Sequence, residues 1–334
     1  MSSAAPDFQH LIRLSDDTGL FEHARHAVVR RHHGYCTDDV ARGLVIVSRE
    51  PLPSQRLTRL AERYLAFLTH AQDHSGAFRN RLGFDRRWRD RPGVGDWWGR
   101  AMWGLGTAAA RNSAPWIREE ALLAFTLGAQ QRSPHLRAMT FAGLGAAEVL
   151  RADPDSTVAA ALLTDAAEAI GVPPENPSWP WPQPYLSYAN AALAEVLIAA
   201  GDLSDDQQML TSGLHMLTWL RDIQTRNGRF SVVPAAGWRQ DKQRTRYDQQ
   251  PIEVAALADA CAVAFLVTGE LSWQDGVRRA AAWFQGANDA DALMWDPATS
   301  GGYDGLTEHG PNLNQGAEST MALISTMQHA RRLS

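Results

Sequence analysis

Carboxylates flanked by aromatic and amide side chains recur at the heads of apolar stretches in this chain. Asp96-Trp97-Trp98 opens one such stretch, and Tyr247-Asp248-Gln249-Gln250, with Glu253 close behind, opens another. Thr37-Asp38-Asp39 and Asn314-Gln315-Gly316-Ala317-Glu318 head two more. Breaking a glycosidic bond takes one carboxylic acid to protonate the leaving oxygen and one carboxylate to activate water or attack the anomeric carbon. Asp248, Glu253, Glu318, Asp96 and Asp39 are the candidate catalytic acids. Acids on separate helices that face one another leave room for a water, so inversion is the natural chemistry to expect.

Sugar hydroxyls are gripped by amides, acids and guanidiniums, and the apolar faces of pyranose rings stack on aromatic rings. The candidate ligand contacts are Asp38, His33, Tyr35, Trp97, Trp98, Arg100, Trp181, Tyr188, Tyr247, Gln249, Gln250, His309, Asn314 and Gln315. Of the 12 tryptophans, Trp88, Trp97, Trp98, Trp179, Trp181 and Trp238 fall in loops or at helix starts, whereas Trp116, Trp219, Trp273 and Trp283 read as packing. Trp179-Pro180-Trp181-Pro182 fits a rigid turn as well as a site wall. Helix capping is the competing account of the acids, because Asp is a favoured N-cap and first-turn acids complement the helix dipole. Asp96, Asp38 and Asp39 after Thr37, and Glu253 after Pro251 all fit that scheme. Capping, however, does not call for Trp97-Trp98, Gln249-Gln250 or Asn314-Gln315 beside the acids.

No metal or cofactor is expected. His32 and His33 are adjacent, a spacing that rarely serves one ion, and no cluster at familiar spacing completes a site. Phosphate-cradling glycine loops, nucleophile elbows and nicotinamide fingerprints are absent from the sequence.

The elements that must position these residues are helices. Apolar residues recur at helical spacing over 38–50, 56–72, 97–111, 116–130, 134–152, 157–171, 185–201, 205–224, 251–269, 272–286 and 315–331. Pro51, Pro53, Pro115, Pro154, Pro173, Pro174, Gly201 and Gly269 fall between them. A repeat links two of the carboxylate motifs. Gly76-Ala77-Phe78 leads through Trp88-Arg89 to Asp96, and Gly228-Arg229-Phe230 leads through Trp238-Arg239 to Asp248, with 20 residues from glycine to aspartate in both copies (96 − 76 and 248 − 228). One structural unit is therefore used more than once, its Gly-x-Phe segment forming a short hairpin or loop. Helices that are small and apolar all round, each following a polar-aromatic motif, alternate with amphipathic ones that cover them. Six of the buried kind predict an all-α (α/α)6 toroid, a six-hairpin barrel with short β-hairpin or loop insertions. Residues 1–334 form one catalytic domain in this reading, with 1–36 an N-terminal extended segment that packs on the toroid and stands in for the first outer helix.

The arrangement resembles the six-hairpin glycosidase-like superfamily, which includes glucoamylases, inverting endoglucanases, unsaturated glucuronyl hydrolases and the N-acylglucosamine and cellobiose 2-epimerases. More narrowly, His33-Gly34-Tyr35-Cys36-Thr37-Asp38-Asp39-Val40-Ala41-Arg42 and Asn314-Gln315-Gly316-Ala317-Glu318-Ser319-Thr320 resemble a bacterial group labelled glycosyltransferase-like or mannosyltransferase-associated. The resemblance implies the toroid and a sugar substrate. It leaves hydrolysis, phosphorolysis and epimerisation open. An epimerase of this superfamily implies paired histidines on inner helices, for which His33 and His135 are the available residues.

Composition narrows the partners. The 334 residues are 45% hydrophobic and 21% charged, as in an ordinary globular protein, and a net charge of −5 argues against a dedicated nucleic-acid surface. The basic stretch Arg86-Arg87-Trp88-Arg89-Asp90-Arg91 is interrupted and reads as a loop. Cys36 and Cys261 are too few for a disulfide framework. No secretion signal follows Met1, and no run approaches the ~20 apolar residues that span a bilayer. The expectation is a cytoplasmic enzyme whose partner is a small saccharide, without nucleic acid or membrane and with its oligomeric state open. Hydrolysis of a short oligosaccharide is the leading reading. The alternatives are a sugar phosphorylase, a 2-epimerase and a non-catalytic carbohydrate-binding protein.

Overall fold

The computed structural model describes residues 7–174 and 176–333, so the first six residues of the N-terminal segment lie outside the description. Among the described residues the helices are α1 (Gln9–Arg13), α2 (Thr37–Ser48), α3 (Gln55–Ala71), α4 (Asp96–Arg111), α5 (Pro115–Gly128), α6 (Leu136–Ala152), α7 (Thr157–Ile170), α8 (Ala191–Leu203), α9 (Gln207–Ile223), α10 (Pro251–Thr268), α11 (Leu271–Phe284) and α12 (Ala317–Arg332). Strands are two or three residues long and pair two at a time. The N-terminal segment is not simply extended: it holds α1 and a 3-10 turn at Arg31–His33.

Most helix boundaries follow from local chemistry. Ser54 caps α3 by accepting from the Leu57 amide, and Asp206 caps α9 by accepting from the Gln208 and Met209 amides. Proline occupies the first turn of α5 and α10, and Gly269 ends α10 in the left-handed region. The one large departure is α8, expected from 185 but starting at Ala191. Tyr185–Leu186 pairs instead with Trp238–Arg239, and the Asn190 side chain accepts from the Ser187 amide. Local side-chain bonding of this kind competes with a helix. Both Gly-x-Phe segments turn sharply. Thr225–Arg226 pairs with Arg229–Phe230 around Gly228, while Phe78 bridges Gln72 and Gly93.

Two compact units emerge. One comprises Leu11–Ala24 and Val28–Ile170; the other comprises residues 7–10, Arg25–Ala27 and 171–333. In the first, α4 packs between α2 and α6, and α3, α5 and α7 each cover the inner helix that precedes them. In the second, α10 packs between α8 and α12, α9 covers α8, and α11 lies against α10 and α12. The 18 residues of α10 are long and apolar enough to cross a membrane by length and composition, but 67% of that span is buried inside the protein.

Inner helices of the first unit meet backbone to backbone. A Cβ built on Gly99 would stand 2.2 Å from the Ala138 carbonyl oxygen, one on Gly106 2.3 Å from that of Gly145, and one on Gly145 2.2 Å from that of Met102. No side chain fits along that seam, which explains why α4 and α6 are so rich in glycine and alanine. Near the C-terminal ends of these helices Glu148 is buried on α6, with the Arg111 guanidinium 2.6 Å away. Burial opposes its ionisation, yet Arg111, Arg49 and Arg151 together hold its carboxyl below the usual glutamate range.

Replacing Gly106 with alanine should cost about 1–3 kcal/mol through forced separation of α4 and α6, read by denaturant unfolding. Glu148→Gln should cost about 3 kcal/mol near neutral pH, because it removes the counter-charge of buried Arg49 and of the partly exposed Arg111. Since the folded carboxyl titrates below the unfolded one, this contribution is complete above the unfolded value of about 4.3 and fades as pH falls through the lower folded value. Stability curves of Glu148→Gln and the parent should therefore converge on acidification.

Candidate active site

Asp38, Asp39, Asp96, Glu253 and Glu318 sit in the first turns of inner helices, Asp248 lies in the loop two residues before the N-cap of α10, and none of them occupies an N-cap position. The N-cap residues are Cys36 for α2, Gly95 for α4, Gln250 for α10 and Gly316 for α12, and none of these makes a side-chain cap bond. At α12 the capping role goes to Asp304, which accepts from the Gly316 amide at 2.7 Å and from the Ser319 hydroxyl at 2.5 Å. Sequence reading missed Asp304 because its partner helix begins a dozen residues further along. Thr37, expected as a cap, is the first residue of α2 and donates its hydroxyl to the Arg79 carbonyl.

In the first unit the start of α2 carries a charged cluster. Asp39 is buried and Asp38 partly so; Arg42, one turn on, reaches Asp39 at 2.7 Å and Asp38 at 3.1 Å. Arg100 of α4 comes within 3.7 Å of Asp38 while its guanidinium lies 3.5 Å from the centre of the Phe141 ring on α6. One guanidinium thus ties together the starts of three inner helices. Asp96 opens α4 and is half-buried. The tryptophans beside it serve the fold: Trp97 donates to the Phe78 carbonyl at 2.7 Å, and Trp98 is fully buried with its N–H on the Gly128 carbonyl. Tyr35 is buried and donates to Asp16 at 2.6 Å, and burial pushes its phenol pKa up. His33 is exposed and packs against His32 and His23; burial of its ring edge and these two neighbours push its pKa down. His135 is exposed at the N-cap of α6.

Glu22, Cys36 and Asp39 bring their ligand atoms within 4.8 Å of one another, a grouping the sequence did not reveal. The donor set suits a metal poorly. Glu22 pairs with Arg81 and Asp39 with Arg42, while burial and the charges of Asp39 and Asp38 push the Cys36 thiol well above its ordinary value. A thiol held protonated is a weak ligand.

In the second unit Glu253 is buried in the first turn of α10. It accepts from the Asn190 side-chain amide at 2.8 Å, the Asn190 backbone amide at 3.2 Å and the Gln224 side chain at 3.4 Å. Asn190 was not among the expected site residues, although it closes the Tyr185–Asn190 motif. Gln249 is wholly enclosed: its carbonyl takes the Trp283 N–H at 3.2 Å, and its amide donates to Asp289 at 2.7 Å and to the Arg246 carbonyl. Backbone bonds from Gln249 to Leu306 hold the neighbouring stretch in place. Tyr247 donates to the Asp289 carbonyl at 3.1 Å. Asp248 is exposed, and among the described residues no hydrogen bond or ion pair reaches its carboxylate. Gln250 and Glu318 are half-buried at the starts of α10 and α12.

Gln315 spends all its polar groups within the protein. Its side chain bonds Thr299 at 2.6 Å and Asp296 at 3.0 Å, its amide donates to the His26 carbonyl, and its carbonyl meets His10 at 2.9 Å. The Asn314 side chain accepts from the His26 amide, so Asn314 and Gln315 latch an N-terminal stretch in place. His309 is exposed at the tip of the Gly305–Thr307/Gly310–Asn312 hairpin. Trp181 is 1% exposed and packs on Trp219 of α9, as does Trp179, which also meets Trp238, so the indole rings of Trp179-Pro180-Trp181-Pro182 belong to the core. Tyr188 is half-buried just before α8.

No family model matches this chain, and no curated protein matches its sequence. Solved structures do match its fold. A cellobiose 2-epimerase from Bacillus thermoamylovorans aligns over 97% of this chain and 95% of its own, with a TM-score of 0.72 and 11% identity. A D-mannose isomerase aligns over 97% and 94%, with a TM-score of 0.67 and 11% identity. A GH76 α-mannanase from Bacteroides thetaiotaomicron aligns over 96% and 93%, with a TM-score of 0.64 and 10% identity. These proteins belong to the six-hairpin glycosidase-like superfamily, and their likeness shows that the present chain has the all-α (α/α)6 fold. The narrower likeness to glycosyltransferase-like bacterial proteins gains no support from them.

Removing the Asn190 side chain takes a donor from a buried carboxylate. Asn190→Ala should therefore destabilise by about 1–3 kcal/mol. Asn190→Asp keeps an acceptor for Ser187 but brings a second carboxylate against Glu253, and should cost more than alanine at neutral pH in the same unfolding measurement.

Proposed function

We propose that this chain is a carbohydrate-active enzyme that cleaves a glycosidic bond in a short saccharide with inversion of the anomeric centre. The observation that carries the reading is a contrast between helix starts. Outer helices α3 and α9 are capped by Ser54 and Asp206, whereas α2, α4, α10 and α12 carry acids in their first turns with no acid at the N-cap. Four inner helices thus hold carboxylates that their caps do not require. The similar solved structures, whose names describe sugar epimerisation, sugar isomerisation and mannan degradation, support a saccharide as substrate.

The surroundings of each acid suggest its role. Glu318 and Asp248 are the proposed proton-transfer pair. One delivers a proton to the leaving oxygen as its bond to the anomeric carbon breaks; the other takes a proton from the water that attacks the opposite face. Asp38 and Asp39, with charges matched by Arg42 and Arg100, are better suited to accept from sugar hydroxyls. Glu253, enclosed by Asn190 and Gln224, is a positioning residue. Gln250 and Tyr188 are proposed ligand contacts. Gln249, Gln315, Trp98, Trp181 and Tyr35 are left out because the fold already occupies them.

A second reading, epimerisation or isomerisation at the reducing end, is favoured by the cellobiose 2-epimerase and D-mannose isomerase among the similar structures. Incubation with short oligosaccharides, followed by mass and NMR analysis, separates the two. Cleavage yields smaller sugars with one initial anomer; epimerisation yields an isomer of unchanged mass in ordinary water, and the same isomer carrying deuterium when the reaction is run in heavy water. Glu318→Gln and Asp248→Asn should each lower cleavage about 10²–10⁴-fold with the unfolding transition retained. Parental turnover in both variants would remove this pair from the mechanism.

A further inference from the structure

Along α3 the first unit carries an open surface cleft of about 700 Å³, lined by Asp17, Thr18, Phe67 and Leu82. Arg59 and Arg63 line it. They lie one turn apart, so their side chains project from the same face of the helix. Among the described residues neither guanidinium has a hydrogen-bond or ion-pair partner, as holds also for Arg56, Arg87 and Arg91 of this unit, whereas Arg86, Arg89 and Arg132 are paired. Acids are present in the lining but turned to other work. The Glu62 carboxylate accepts from the Trp116 indole N–H at 3.0 Å, and Asp17 is held by Arg86 at 2.8 Å through both oxygens. At the far end His70 packs against Trp88, their ring centres 5.4 Å apart, and offers a further polar edge.

We infer that this cleft binds the phosphoryl group of a small phosphorylated molecule. Two planar guanidiniums on one helix face can each take different oxygens of a single tetrahedral group, and together they match a dianion. The volume lies within the range of small-molecule pockets and accommodates a body of monosaccharide size behind the phosphoryl group. Thr18 adds a hydroxyl to the lining.

Calorimetric and NMR titrations of the full chain with inorganic phosphate, glucose 6-phosphate and glucose test the assignment. Both phosphates should saturate one site, and glucose should not. Binding should weaken several-fold when salt is raised to about 1 M, where screening reaches within a few ångströms. The double variant Arg59→Gln/Arg63→Gln should lose at least about tenfold in phosphate affinity, since each 1.4 kcal/mol is a factor of ten. Glu62→Gln, which removes a competing negative charge but keeps an acceptor for Trp116, should bind more tightly than the parent. Any saccharide turnover should survive in all three proteins, so a failure here is distinguishable from a failure of the proposed reaction. Phosphate affinity unchanged in the double variant, or binding that never saturates, would overturn the inference.

Discussion

Backbone-to-backbone contact between inner helices is the constraint on which the rest of the molecule depends. Where Gly99, Gly106 and Gly145 let α4 and α6 approach without side chains, the two helices share one seam and their starts are held in fixed register. Dispersion contacts along such a seam are small one by one but numerous, and no rearranged side chain can replace them. The close approach also means that each helix start has little freedom to relax around the charge placed on it.

Charge at those starts is therefore managed by neighbours. Arg100 answers Asp38 from the next helix and rests on Phe141 of the one beyond. Asn190, at the head of α8, donates twice to Glu253 at the head of α10. Buried carboxylates without such partners would be expensive. Polar residues at these starts hold neighbouring helices together, whereas Asp248, in the loop before α10, is exposed.

Much of the fold was legible in the sequence. Alternation of all-apolar and amphipathic segments, with prolines and glycines between them, located the helices from α2 to α12, because burial on all sides and burial on one side write different periodicities. The start of α8 was not legible. Nothing in Tyr185–Asn190 forbids a helix; pairing with Trp238–Arg239, some fifty residues away, decides against it. The candidate site was legible only as a set of motifs. The Gly-x-Phe repeat and the acids at helix heads were visible, while the division of labour among them was not. Asp304 as a capping acid, the latch built from Gln315, and the enclosure of Gln249 all depend on partners distant in the chain.

The amino-acid sequence alone determined the helical alternation and the placement of acids near the starts of inner helices, because each is a matter of local composition and period. Tertiary structure alone decided which acids are enclosed and which are exposed, which tryptophans are core, and where two arginines line one cleft. The physical reason is that burial and hydrogen-bond partnership belong to groups brought together in space, and a residue's own neighbours in the chain carry almost no record of them.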